Sequence, residues 1–281
     1  MPLIEVEGLS YKYPKAKDWA LRSVDLSVDR GEFVVLTGPT GCGKTTLCRC
    51  LNGLIPHFYG GEMRGEVRVA GLSVKENPIS TMARHVGMIF QNPDNQIFAL
   101  TVEKDVAFGL ENLGLPREEI RRRVDWALRV TGIEAIRSRG THELSGGQKQ
   151  RLAIASVLAM KPEVVVLDEP TAYLDPKGAE EIMAVVDGLR REFGMTIILV
   201  EHRMDIAARY ADRVVVMEGG RVVLDGEPAE VLSSQEAVRL GVDVPRVVRL
   251  HRRLSELGVD LGAPTVVLEE LAERVREAMR G

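Results

Sequence analysis

Gly38-Pro39-Thr40-Gly41-Cys42-Gly43-Lys44-Thr45-Thr46 is the stretch from which the rest of the chain is read. The apolar run Phe33-Val34-Val35-Leu36-Thr37 leads into it, and Leu47-Cys48-Arg49-Cys50-Leu51-Asn52-Gly53 follows it. The order is a buried strand, a glycine-rich turn and a short helix stopped by glycine. Gly38, Gly43, Lys44 and Thr45 satisfy the spacing G-x-x-x-x-G-K-[ST] in the context that gives it meaning. Glycines let the backbone curl until successive N–H groups face one concavity. The helix beyond adds unpaired N–H groups and the positive end of its dipole. Such a cradle holds a phosphate chain, with Lys44 reaching the β and γ phosphates and the Thr45 hydroxyl on a magnesium ion. The alternative, a glycine-rich turn that binds nothing, does not account for strand, loop, lysine and threonine in register.

Bulk properties narrow the class. The 281 residues suffice for one or two domains with a large core. Hydrophobic residues make up 45% and charged residues 28%, the balance of a soluble globular chain. Aromatics are only 5%, so the core is expected from Val, Leu, Ile and Ala. A net charge of −4 gives no electrostatic reason to expect nucleic acid. No stretch approaches the ~20 apolar residues of a membrane-spanning helix, and the first residues lack the pattern of a secretory signal, so a cytoplasmic location is expected. Cys42, Cys48 and Cys50 are odd in number, which argues against a disulfide framework. Cys48 and Cys50 lie two apart on a helix and share no face, so they are read as small buried hydrophobes rather than metal ligands.

Alternation at residues 3–6 and from Leu21 to Val28 predicts half-buried strands. Tyr11 and Tyr13 lie between them. Either can offer a face to a nucleotide base, and either can be an ordinary strand-end tyrosine. Gly65–Gly71 predicts a strand between glycine turns. His85–Phe90 predicts another, ending at Gln91, and an amide at the carboxyl end of a core strand in an open α/β sheet lies where ligands bind. Gln91 can there complete a magnesium shell or hold an attacking water. Thr101 is expected to cap a helix carrying Val102, Val106, Leu110 and Leu113. Pro116 opens another with Ile120, Val124 and Leu128. Residues 92–146 therefore read as an all-helical insert in an α/β chain.

Leu144-Ser145-Gly146-Gly147-Gln148 then opens a helical run to Met160, a second helix N-terminus suited to an anion. Val164–Leu167 is a short apolar run ending in Asp168-Glu169, a central parallel strand delivering two acids to the sheet edge. Asp168 is expected in the magnesium shell, and Glu169 is expected to polarise a water toward the γ-phosphate. The alternative is that both acids cap the next helix. Thr196–Val200 is another buried strand, ending at Glu201-His202, which puts His202 on the edge shared with Glu169 as a γ-phosphate contact. Arg213–Met217 and Arg221–Leu224 predict a hairpin across Gly219-Gly220. Beyond residue 233 two amphipathic helices are expected, with Val247, Leu250, Leu254 and Leu257 on the first and Leu268, Leu271, Ala272, Val275 and Met279 on the second.

Taken together these pieces resemble the nucleotide-binding subunit of ABC (ATP-binding cassette) transporters, from about Leu3 to Leu232. The resemblance makes Gly38–Thr46 the Walker A loop, Gln91 the Q-loop glutamine, Leu144–Gln148 the signature and Asp168 with Glu169 the Walker B pair. Asp175 falls in the D-loop and His202 is the switch histidine. Tyr13 takes the place of the family's adenine-stacking aromatic. The fold implied is an α/β P-loop NTPase with a mixed core sheet and an antiparallel β subdomain. Its implied organisation is a core of residues 1–91 and 147–233, a helical subdomain of 92–146 and a C-terminal helical extension of 234–281. Phe90–Phe98 and Thr101-Val102-Glu103 look like the energy-coupling factor (ECF) ATPases, which power uptake of vitamins or of cobalt and nickel ions. Two positions depart from the usual pattern: Cys42 stands in place of serine, and Tyr173 in place of a small residue beside the D-loop.

The resemblance implies ATP and Mg²⁺ as ligands and two subunits facing head to tail. Each ATP would be held by the Walker A loop of one subunit and by Ser145, Gly146, Gly147 and Gln148 of the other, with Asp175 close by. Glu169, His202 and Gln91 would carry the hydrolysis. The second subunit is implied to be identical or paralogous. Integral membrane subunits would dock through Gln91–Phe98, holding the protein peripherally at the cytoplasmic face of the membrane. The rival is a soluble ATPase of the same class acting on nucleic acid or ribosomes; a short insert, a single cassette and the acidic charge disfavour it.

Overall fold

The computed structural model describes residues 1–172 and 174–279. Tyr173, singled out above, lies outside them. The chain begins with β1 (Ile4–Lys12), β2 (Leu21–Val28) and β3 (Phe33–Thr37), then α1 (Lys44–Leu51), α2 (Leu54–His57), β4 (Glu62–Val69), β5 (Leu72–Ser73), α3 (Ile79–Met82) and β6 (Val86–Ile89). The helical stretch is α4 (Val102–Asn112), α5 (Arg117–Val130) and α6 (Gly146–Ala159). Strands return with β7 (Val164–Asp168), α7 (Pro176–Phe193), β8 (Thr196–Val200), α8 (Met204–Ala207), β9 (Arg213–Glu218) and β10 (Arg221–Gly226). The chain closes with α9 (Pro228–Ser233), α10 (Gln235–Arg239), α11 (Arg246–Glu256) and α12 (Leu268–Ala278).

Two sheets result. One has four antiparallel strands in the order β2-β1-β4-β5, and the other six in the order β10-β9-β3-β8-β7-β6. In the second sheet β9, β3, β8, β7 and β6 are parallel, and only the hairpin strand β10 runs against its neighbour. The α/β class, the mixed core sheet and the separate antiparallel sheet are those expected. Strands β3, β7 and β8 are buried along their whole length, as strands covered on both faces must be. Their side chains alternate between two cores. Val34, Leu36, Val164, Val166, Ile198 and Val200 face the antiparallel sheet and α1. Phe33, Val35, Val165, Leu167, Ile197 and Leu199 face α7, which contributes Ile182, Met183, Val186 and Leu189.

A third core forms among the helices, from Val102, Val106 and Leu110 of α4, Val124, Ala127 and Leu128 of α5, and Leu152, Ala155 and Ala159 of α6. The same α6 sends Ile154, Val157 and Leu158 into the core of the large sheet. It is therefore shared between the helical group and the sheet.

Three local expectations are corrected. Gly65 is not a turn ahead of β4; it lies inside the strand, opposite a register shift in β1. Its φ is +79°, and a Cβ there would sit 2.4 Å from the carbonyl oxygens of both Glu7 and Gly8. The glycine marks a bulge where two backbones approach, a signal easily read as a turn. Thr101 occupies the N-cap position of α4, but its side chain makes no capping bond; its backbone bridges instead to Gly140. In the extension, α11 buries Val248 and His251, while Leu250 and Leu257 are exposed. His251 lies 3.2 Å from the Gly262 carbonyl, which turns that face inward.

Gly65→Ala is expected to cost more than about 2 kcal/mol in urea unfolding, because strain and backbone overlap add. Gly8→Ala, at φ +55° with nothing within 4 Å of its Cβ, should cost only about 1 kcal/mol. Equal losses would show that the bulge at Gly65 does not set the register of this sheet.

Candidate functional site

The parallel strands end on one edge, and the polar residues singled out above gather there. β3 runs into the loop of Gly38 to Gly43, whose Gly38, Gly41 and Gly43 have φ of +132°, +81° and +110°. A Cβ at Gly38 would lie 2.1 Å from the Met217 carbonyl oxygen, so the loop is pressed against β9 and only glycine fits. α1 starts at Lys44 without a capping side chain and without an acidic residue in its first turn. Its N-terminal N–H groups thus have no side-chain acceptor of their own and suit an incoming anion. Lys44 is buried, and its Nζ donates to the carbonyls of Gly38 (2.7 Å) and Pro39 (3.1 Å). Cys42 lies 3.8 Å from that Nζ through its sulfur and is buried, as are Cys48 and Cys50. Burial pushes the thiols of Cys48 and Cys50 well above their usual range, in keeping with inert core residues.

Three adjacent strands supply the acidic side of the site. β6 delivers Gln91, β7 delivers Asp168 and Glu169, and β8 delivers His202. Glu169 Oε2 accepts from Gln91 Nε2 at 2.7 Å, and Glu169 Oε1 lies 3.3 Å from His202 Nε2. Glu169 has a φ of +50°, unusual for a residue with a side chain, and its N–H is tied to the Val200 carbonyl at 2.9 Å. Such strain is kept where the surroundings hold the residue in place. Asp168 is buried, and burial pushes its carboxyl above the ordinary value; the Thr45 hydroxyl opposes this, the Glu169 charge adds to it, and Arg49 and Lys44 oppose it from further off.

Between these two groups lies a cleft of about 460 Å³. Thr40, Gly41, Gly43, Lys44, Thr45 and Thr46 form one wall, and Gln91, Glu169 and His202 the other. Tyr13 stands at the same cleft. Its hydroxyl lies 3.1 Å from Thr46 Oγ1 and accepts from Arg49 Nη1 at 3.1 Å. Tyr11 is fully buried behind it and donates to the Gly60 carbonyl at 2.8 Å. Burial pushes the Tyr11 phenol up to about 12. The structure therefore puts Tyr13 at the cleft and Tyr11 in the core.

The signature residues are placed elsewhere. Ser145 is the N-cap of α6, its hydroxyl accepting from Gln148 N while its own N–H donates to Gln148 Oε1, a reciprocal capping box. A Cβ on Gly146 would meet nothing within 4 Å. Ser145, Gly146, Gly147 and Gln148 do not line the cleft, and neither does Asp175, whose carboxylate accepts from Gly178 N at 2.9 Å as the N-cap of α7.

One feature escaped sequence reasoning. Glu201 looked like a mere strand end; it is a buried carboxylate bonded to the loops that follow β7 and β8. Its signal was an acid directly beside His202 after an apolar run. An apolar groove of about 230 Å³ lies at the root of the helical insert, lined by Phe90, Gln96, Phe98, Phe108, Val157 and Met160, among others. Phe98, Leu100 and Phe108 are exposed at or beside it. Buried Asp105 fixes this rim by accepting from the N–H groups of Phe98 (2.8 Å) and Ala99 (2.9 Å), and from Ser156 Oγ at 3.1 Å.

A glycine loop closing on a lysine at a helix start, with two carboxylates from the end of β7, defines an ATPase of the P-loop class. Residues 21–172 match the ABC transporter family model, and the chain belongs to that family as an ATP-binding, ATP-hydrolysing member. It is 48% identical over 281 aligned residues to the energy-coupling factor transporter ATP-binding protein EcfA1 of Symbiobacterium thermophilum, covering 97% of this chain and 96% of that one. The structure of cbiO1 from Clostridium perfringens, part of the ABC transporter complex cbiONQ, superposes with a TM-score of 0.75 at 40% identity, covering 89% of this chain and 99% of the other. A dimeric post-hydrolysis state of the ATP-binding cassette MJ0796 bound to ADP and Pi aligns with a TM-score of 0.71 at 28% identity, covering 80% and 98%.

The buried Asp168 carboxyl makes a pH prediction. Its raised folded-state value means the native chain holds that proton more readily than the unfolded one, so stability falls as pH rises through the window above the ordinary aspartate value of about 4. At neutral pH the bare charge is a standing cost. Asp168→Asn should therefore raise the melting temperature of the nucleotide-free protein at pH 7.5, and the gain should vanish toward pH 4. A lower melting temperature at pH 7.5 would show that the ionised carboxylate is compensated within the chain.

Proposed function

We propose that this chain is one of two ATPase subunits that drive an ECF-type importer, held at the cytoplasmic face of the membrane by integral partners. The cargo we assign is a micronutrient, a vitamin or a cobalt or nickel ion, recognised by another chain. The observation that carries the reading is the division of the machinery. One cleft gathers the loop, Glu169 and His202, with Asp168 lining the adjoining pocket, while Ser145 and Gly147 of the signature helix do not line it. A second subunit would bring its signature to this cleft and offer its own cleft in return. The dimeric cassette that superposes on this chain supports that arrangement.

In this reading Tyr13 stacks on the adenine, while the loop N–H groups from Thr40 through Thr46 and the Lys44 ammonium take the phosphates. Phosphate oxygens would replace the two carbonyls to which Lys44 now donates. Asp168, Thr45 and Gln91 form an all-oxygen donor set, and the burial of Asp168, which the Thr45 hydroxyl, Arg49 and Lys44 only partly offset, fits a magnesium ion. That ion, when bound, supplies neutralisation of charge on the phosphates. Glu169 accepts the proton of the attacking water, and His202 contacts the γ-phosphate and steadies Glu169. Ser145 and Gly147 of the partner close the γ-phosphate from the far side.

The membrane subunits are proposed to dock on the groove beside Phe90 to Phe98. Phe98 and Phe108 stand 6.1 Å apart between ring centres at its rim, and an exposed apolar groove suits an apolar helix of a partner. No helix among the described residues is long and apolar enough to cross a membrane, and in this reading attachment is through such partners.

Glu169→Gln is expected to bind ATP and to dimerise, yet to hydrolyse ATP more slowly by a factor of about 10² or more. Unchanged turnover removes Glu169 from its role. Wild-type specific activity should rise with protein concentration as pairs form. An activity independent of concentration down to the monomer would overturn the shared site. Copurification with detergent-solubilised membrane protein, and not with nucleic acid, is expected from cells.

A further inference from the structure

Glu201 lies one residue past β8 and is only 4% exposed. Its Oε1 accepts from the backbone N–H groups of His202 (2.8 Å) and Arg203 (3.2 Å). Its Oε2 accepts from the hydroxyl of Thr171, which is itself 1% exposed. Thr171 is two residues beyond Glu169, in the turn where Ala172 N donates to the Glu169 carbonyl at 3.2 Å. A second bond joins the same two loops, with Arg203 Nη2 donating to the Thr171 carbonyl at 3.0 Å. The loop after β7 and the loop after β8 are thus joined twice, behind the point where Glu169 and His202 meet at 3.3 Å. Glu201 makes no bond to the N–H groups of short helix α8 itself, since its acceptors are taken by His202, Arg203 and Thr171.

We infer that Glu201 is a positioning residue for hydrolysis: by bracketing the Thr171 hydroxyl to the His202 and Arg203 N–H groups, it sets the approach of His202 to Glu169. This rests on the roles proposed above for Glu169 and His202. Three donors converge on Glu201, so a side chain that accepts on one arm suffices for the two N–H groups. An amide meets this demand. Its oxygen takes the N–H pair, and its NH₂ donates to Thr171 Oγ1, whose hydroxyl then serves as acceptor. Alanine meets neither demand, and valine at 171 removes one arm of the bracket without changing its size.

The test is steady-state ATPase kinetics of the full chain together with ATP binding. Glu201→Ala is expected to lower kcat by about 10- to 100-fold, the scale of a misplaced reacting group, while the ATP dissociation constant stays within about twofold, since the phosphate loop is untouched. Glu201→Gln should recover to within about fivefold of wild type. Thr171→Val should fall between them with the same unaltered ATP affinity, and it carries the expectation alone if Glu201→Ala does not fold. Adding Glu201→Ala to Glu169→Gln should cause no further loss, because the group being positioned is already gone. Wild-type turnover in Glu201→Ala or Thr171→Val overturns the inference, as does a parallel loss of kcat and affinity, or Glu201→Gln as slow as Glu201→Ala. Normal turnover in Glu169→Gln alone would instead sink the assignment of Glu169, a separate failure.

Discussion

A parallel sheet buried on both faces can offer polar chemistry only at its ends. In this protein β3, β7 and β8 are buried throughout, so every ionisable group they deliver has to emerge at an edge. The carboxyl edge is where the loops rise and where N–H groups of following helices point outward. The phosphate loop, Glu169 and His202 share one cleft, and Asp168 lines the pocket that adjoins it at Thr45 and Gln91, because the strands that carry them are neighbours, not because they are near in sequence. The cost of that burial is visible at Asp168, whose carboxyl is pushed up by desolvation. A cation bound at this edge would relieve it and so tie the stability of the site to occupancy.

Helix α6 links the remaining parts. It is packed into two cores at once, Leu152 and Ala155 toward the other helices and Ile154 and Leu158 toward the sheet. Its first turn carries the capped Ser145–Gln148 box, and near its other end Ser156, Val157 and Met160 line the apolar groove. Fourteen residues of helix span roughly 21 Å. Close packing on both sides gives such a rod little freedom to bend, so displacement of one end is felt at the other. Asp105 extends the link, because it bonds Ser156 of α6 and the backbone that carries exposed Phe98.

The parts of the fold legible in the sequence were those where pattern and physics coincide. Phe33–Thr37, Leu21–Val28 and Thr196–Val200 are strands with the limits read from their apolar runs. The edge of the site followed from the apolar runs of β6, β7 and β8, since Asp168 ends β7, Glu169 follows it, and Gln91 and His202 stand two residues beyond β6 and β8. Legibility failed where a long-range contact decided the outcome. Gly65 had the look of a turn, but the carbonyls of Glu7 and Gly8 across the sheet make it a bulge. Thr101 had the look of a cap, but Gly140 competes for its backbone. The buried face of α11 is rotated onto Val248 and His251 by contacts 11 residues further on.

Glu201 shows why a site is harder to read than its motifs. Its neighbours in sequence explain nothing about an acid at the end of an apolar strand, and burying a charge is unfavourable unless donors surround it. The donors come from Thr171 on the adjacent loop and from two N–H groups beyond itself. Only the parallel pairing of β7 with β8, which sets Asp168 opposite Val200, brings them together. The same pairing holds Glu169 in its positive-φ conformation through the Val200 carbonyl. One register therefore governs both the strained acid and the buried acid behind it. A slip of one residue would turn every side chain of β8 to the other core, so the apolar alternation of Thr196–Val200 guards the geometry of Glu169 as strictly as any polar contact does.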